Sequence, residues 1–100
     1  MTDPLAPLRE RFRARSAEDL VRLRALLDSE DTDELRRLAH SIAGAAGTFG
    51  FPTLSRAAAI IDDAFVAGHT PGQASFDRLE QELEAVANAS PDLTPPASDA

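Results

Sequence analysis

The chain contains no cysteine and no lysine. Without cysteine, a disulfide scaffold, thiol catalysis and thiolate metal sites are excluded, and a reducing cytoplasm is the expected setting. Without lysine, all ten bases are arginines, set against 17 acids for a net charge of −7. Phosphate backbones repel such a chain, so nucleic acid is not an expected partner. The arginines of the N-terminal half lie among acids with no aromatic ladder between them, as on a solvated helix surface. Apolar runs are only a few residues long, so no segment is expected to cross a bilayer. The opening MTDPLAPLRE has no basic stretch followed by an apolar one and does not read as a secretory signal. No segment alternates apolar and polar residues over a strand's length.

Against these absences, 43% of the 100 residues are hydrophobic, enough for one domain with one modest core. The charge is uneven. Residues 1–50 hold nine acids and eight arginines, whereas residues 51–100 hold eight acids and two arginines. The last eleven residues, SPDLTPPASDA, are rich in proline, serine and acid. A single domain over 1–89 and a disordered tail over 90–100 are therefore expected.

The periodicity is helical throughout. Leu5, Leu8 and Phe12 suit a short first helix with a proline near its start. Ser16 and Asp19 form an S-x-x-D pattern that marks a new helix start or a kink. Leu20, Leu23 and Leu27 form the next apolar stripe. Asp31 and Glu34 fit a capping box for a helix carrying Leu35, Leu38, Ile42, Ala45 and Phe49, which ends near Phe49 or Gly50. Pro52 opens the next helix, with Leu54, Ala58, Ile61 and Phe65 inward and Gly68 as its stop. Thr70, Pro71 and Gln73 resemble a cap for the last helix, whose stripe is Phe76, Leu79, Leu83 and Val86. Such stripes bury only against one another. The expected fold is all-α: an antiparallel, up-and-down four-helix bundle with a short additional N-terminal helix.

One histidine stands out. On a helical wheel, Leu35, Leu38, Ile42, Ala45 and Phe49 span about 80°, and His40 lies about 180° from their centre. Gly44 and Gly47 follow it one and two turns on, with Ala43 on the same face and Arg36 one turn back. Each interior glycine costs a helix about 1 kcal/mol relative to alanine. On a face turned from the core, such glycines suit a second macromolecule approaching the histidine. A close approach by a neighbouring helix would explain them only if the core sector were placed differently. Neutral imidazole is a nucleophile, and its ordinary pKa of about 6.5 leaves it mostly neutral at pH 7. It can take a phosphoryl group on a ring nitrogen, with an arginine offsetting the charge. A metal site is not expected, since His69, the other histidine, lies in a loop and no ligand-type spacing accompanies either. A serine triad lacks a nucleophile elbow, and the glycines do not sit between strand and helix as in nucleotide sites.

The stretch LRRLAHSIAGAAGTFGF, residues 35–51, resembles the signature of histidine-containing phosphotransfer (HPt) domains, the four-helix modules of two-component phosphorelays. The family pattern is loosely A-H-x-x-K-G followed by a later glycine, and Ala39, His40, Gly44, Gly47, Phe49 and Gly50 match it. The resemblance covers roughly 5–88, with only 38–51 specific. It implies that His40 is the phosphoacceptor and that Ala43, Gly44 and Gly47 form the docking surface. The implied partners are response-regulator receiver domains or a hybrid histidine kinase, with no membrane involved. It implies no cofactor of the chain's own, with Mg²⁺ on the partner receiver, and a monomeric, cytoplasmic phosphotransfer intermediate rather than a self-sufficient kinase. Ala43 stands where the family usually has lysine. Arg36 and Arg37 are the candidates to stabilise the phosphoryl group instead. Two alternatives stay open: an HPt-like module that binds receivers or a kinase without transfer, and a structural helical bundle.

Overall fold

In a computed structural model, residues 4–89 are described, and their helices number four: α1 (Ala6–Ser29), α2 (Thr32–Thr48), α3 (Pro52–Val66) and α4 (Gln73–Ala87). The expected tail lies outside the described residues. Each helix packs on two neighbours, α1 on α2 and α4, and α3 on α2 and α4, closing a ring around one core. Paired residues run in opposite senses along neighbouring helices. Arg22 meets Glu34 and Arg15 meets Ser41 between α1 and α2, and His40 meets Asp62 while Ala43 meets Ser55 between α2 and α3.

Among the described residues there is no separate short N-terminal helix. Residues 6–29 form one continuous helix through Ser16. The Ser16 hydroxyl donates to the Phe12 carbonyl, 2.9 Å away and one turn back, so it bonds within the helix instead of capping a new one. The Leu5–Leu8–Phe12 line is likewise only partly inward. Phe12 is buried, stacks near Phe51 and tilts against Phe49, while Leu5 and Leu8 are exposed.

The other boundaries follow local chemistry. The Asp31 side chain caps α2 by accepting from the Glu34 N–H at 3.1 Å. The reciprocal half of the box is absent because the Glu34 carboxylate is taken by Arg22 and Arg37, each at 2.9 Å. Pro52 is the first residue of α3, where its missing N–H costs nothing. Thr70 does not cap α4, whose N-cap is Gly72; Pro71 is buried ahead of the helix, and Gln73 bonds Asp77.

One carboxylate is buried in the α1 face. Burial pushes the Asp19 carboxyl up, against the lowering effect of Arg15, whose Nε lies 3.4 Å from Oδ2. That oxygen has no hydrogen-bond partner among the described residues. The folded chain therefore holds the Asp19 proton more tightly than the unfolded chain, and stability falls as pH rises from the ordinary value of 3.8 through the folded value. Asp19→Asn is expected to be more stable than the parent at neutral pH. The gap should close as the pH is lowered through that range, measured by urea unfolding at a series of pH values.

Candidate functional site

Helix α2 turns a different sector inward than the spacing of its larger residues suggests. Its buried residues are Leu35, Leu38, Ala39, Ile42 and Ala46, whereas Ala45 and Phe49 are only half-buried. Alanines at 39 and 46 are too small to signal a core in sequence, yet small residues are what a close helix contact needs. The shift leaves His40 about 140° from the core direction instead of opposite it. The histidine is therefore outward but tilted toward α3.

That tilt gives it a partner. His40 Nδ1 lies 2.8 Å from Asp62 Oδ2 on α3. The His40 side chain is 74% exposed and the Asp62 side chain only 14%. An ionised carboxylate can only accept, so the ring nitrogen facing it is the one that carries the proton. The other nitrogen, Nε2, then holds a lone pair and is free for chemistry. Asp62 Oδ1 is buried without a partner among the described residues. Asp62 went unnoticed in the sequence. Its signal lay in the hairpin register, since counting outward from the turn at 49–51 brings residues 40 and 62 level.

The two interior glycines differ. A side chain at Gly44 would meet nothing within 4 Å, so the surface there is clear. A Cβ at Gly47 would lie 3.3 Å from the Ser55 hydroxyl, tighter than ordinary contact. That hydroxyl donates to the Ala43 carbonyl at 2.7 Å. The helix-approach explanation, set aside on the sequence wheel, therefore accounts for Gly47, while Gly44 keeps the open space. Ala43 is half-buried beside the α3 contact, and Gly50 takes a φ of 87° just past the end of α2.

The two arginine candidates also differ. Arg37 is held by Glu34 at 2.9 Å. Arg36 is exposed one turn before His40 and makes no ion pair among the described residues. On the other side of His40, Ser41 accepts from Arg15 at 2.5 Å. His69 lies in the exposed loop after α3. Among the described residues no group of three or more His, Asp or Glu is placed to hold a metal ion, and no helix is long and apolar enough to cross a membrane.

A carboxylate-anchored imidazole with one free nitrogen, beside open helix surface, can act as a nucleophile toward a group brought by a partner. Asp62→Leu is expected to release the Nδ1 proton to a mixture of tautomers, while Asp62→Asn, which keeps an acceptor, holds it. Imidazole ¹⁵N chemical shifts read this directly; an unchanged spectrum in the leucine variant would refute the orienting role.

Compared with known proteins, residues 7–89 match a family model described as Hpt domain. No curated protein and no solved structure matches the chain.

Proposed function

Since the chain belongs to the Hpt domain family, whose members take part in two-component phosphorelays, we propose that it is a histidine phosphotransfer protein with His40 as the phosphoacceptor. The observation that carries this reading is the 2.8 Å contact between His40 Nδ1 and Asp62, which leaves Nε2 exposed with its lone pair. In the forward step the Nε2 lone pair attacks the phosphorus of a receiver's aspartyl phosphate. An N–P bond forms, the P–O bond to aspartate breaks, and the aspartate leaves as a carboxylate. The Nδ1 proton stays in place, so the ring becomes a phosphoimidazolium whose charge faces Asp62. Passing the group to a second receiver is the same step reversed. Neither direction needs a proton to leave or arrive.

The retained proton also bears on Ala43. Where the family usually has lysine, this chain has a methyl group, and the ring's own positive charge stands nearest the phosphoryl oxygens. Arg36, one turn back and without an ion pair among the described residues, is the second source of charge; Arg37, held by Glu34, is the weaker candidate. Gly44 forms the clear approach, with Ala43 half-buried beside it and Gly47 where an added side chain would meet Ser55. An antiparallel bundle, supported by the opposed pairing of residues along neighbouring helices, keeps this surface rigid. On this reading the protein acts as a cytoplasmic monomer, needs no cofactor of its own and relies on Mg²⁺ bound by the receiver. Ala43 favours a second reading, a module that docks receivers without transfer.

Incubation with phosphorylated receiver domains separates the two. Transfer predicts an acid-labile label on the wild type that His40→Gln abolishes, and a faster rate in Ala43→Lys. Receiver binding that is indifferent to the residue at position 40, with no label, would establish the docking reading instead. Gly44→Ala is expected to stabilise the fold by about 1 kcal/mol in thermal or urea unfolding while slowing transfer, since its methyl group enters the approach path.

A further inference from the structure

Helix α1 differs from the other three in what it turns inward. The buried residues of α2, α3 and α4 are all apolar. Of the five on α1, two are polar: Ser16, wholly covered, and Asp19. Ser16 is satisfied within its own helix by the Phe12 carbonyl, so that bond does not tie α1 to a neighbour. Asp19 is not fully satisfied. Its covered Oδ2 has no hydrogen-bond partner among the described residues, and the Arg15 Nε stands 3.4 Å away. A buried carboxylate without its full set of hydrogen bonds disfavours the packed state, because water would supply them.

The flanks of α1 offset little of this. Arg22 with Glu34 and Arg24 with Glu80 are pairs at the surface, and Arg15 reaches the exposed Ser41. Such contacts contribute little in water. The joint to α2 is short, and its first residue, Glu30, holds a left-handed backbone at φ 56°, which a side chain disfavours. Helix α2 does not need α1 in order to begin, because Asp31 caps it from its own side. Helix α3 is tied to α2 through Ser55 and Ala43 and through Asp62 and His40, and α4 packs on α3. The other three helices therefore form a connected unit without α1.

We infer that α1 is a detachable helix, which lifts from the bundle as one unit while α2, α3 and α4 stay folded, driven by hydration of the Asp19 carboxylate. Phe12, Leu20 and Leu23 hold it down, and Phe12 leaves its contacts with Phe49 and Phe51 when it lifts. The opened form is a minor state of the native protein, reached below the cost of global unfolding. It bears on His40 from one side only. Lifting α1 withdraws Arg15 from Ser41, the residue next to the histidine. The contact of His40 with Asp62 lies wholly within α2 and α3 and persists. The flank of α2 that faces α1 thereby becomes accessible with the imidazole still anchored. This opening does not require phosphotransfer.

Native-state hydrogen exchange on the full chain, read amide by amide by NMR, tests this. In the wild type the amides of α1 are expected to share one opening, at least roughly tenfold more populated than the opening that exposes the slowest amides of α2 and α3. Ser55→Ala, which removes the bond to the Ala43 carbonyl, should change the exchange of those slowest amides and leave α1 as it was. Asp19→Asn, which removes the buried charge, should make the α1 opening roughly tenfold rarer. Circular dichroism confirms that both variants fold, and the wild-type comparison stands without them. Amides of α1 that open no more often than the slowest of α2 and α3, or that shift with them in Ser55→Ala, would show that α1 leaves only when the whole chain unfolds, and would overturn the detachable helix. An α1 opening as frequent in Asp19→Asn as in the wild type would overturn the part assigned to Asp19.

Discussion

The spacing between α2 and α3 is set where the Ser55 hydroxyl donates to the Ala43 carbonyl, in the room left by the absent side chain of Gly47. A helix carbonyl already accepts from its own helix, and this second bond ties the two backbones together through one short side chain. Alanines at 39 and 46 on α2 and at 57 and 58 on α3 are buried in the core. The register it imposes brings His40 and Asp62 level, 2.8 Å apart. Without that contact the histidine would be one more exposed side chain, free to choose its tautomer.

The site places its charges economically. The imidazole projects into water, where a partner can reach it, while its anchor is nearly covered by the protein. A carboxylate in that position does two things. It assigns the proton to Nδ1 before any partner arrives, and it faces the positive ring that a phosphoryl group on Nε2 would leave. Asp19 shows the contrasting case. It too is largely buried, but the group facing it is an arginine with no hydrogen bond to the covered oxygen, and burial raises its carboxyl. One buried acid thus orients an exposed imidazole, and the other mainly costs stability.

Much of the bundle was legible from residue spacing. The stripe of α4 is buried as its spacing demands, the α2 cap is made by Asp31, and α3 opens on Pro52. The outward placement of His40 was legible for the same reason, since a run of large apolar residues at steps of three and four defines a face and its opposite. The reading failed where one short pattern has two outcomes. Ser16 and Asp19 match a helix start, but a serine inside a helix can bond back to the preceding turn, and only the packing of Phe12 at its neighbour's position decides between them. It failed again where the core is built from alanine, which carries no hydrophobic signal strong enough to outvote Phe49.

By itself the sequence determined the helical periodicity, the family signature at 38–51, and the histidine's exclusion from the core, because each depends on residues near one another along the chain. The tertiary structure alone decided what the histidine's ring touches, which glycine faces open space and at which an added side chain would meet a neighbour. What the ring touches and how each glycine is met depend on how far one helix slides and turns against the next. That offset is fixed by contacts between residues a dozen or more positions apart, such as Ala43 with Ser55 and His40 with Asp62.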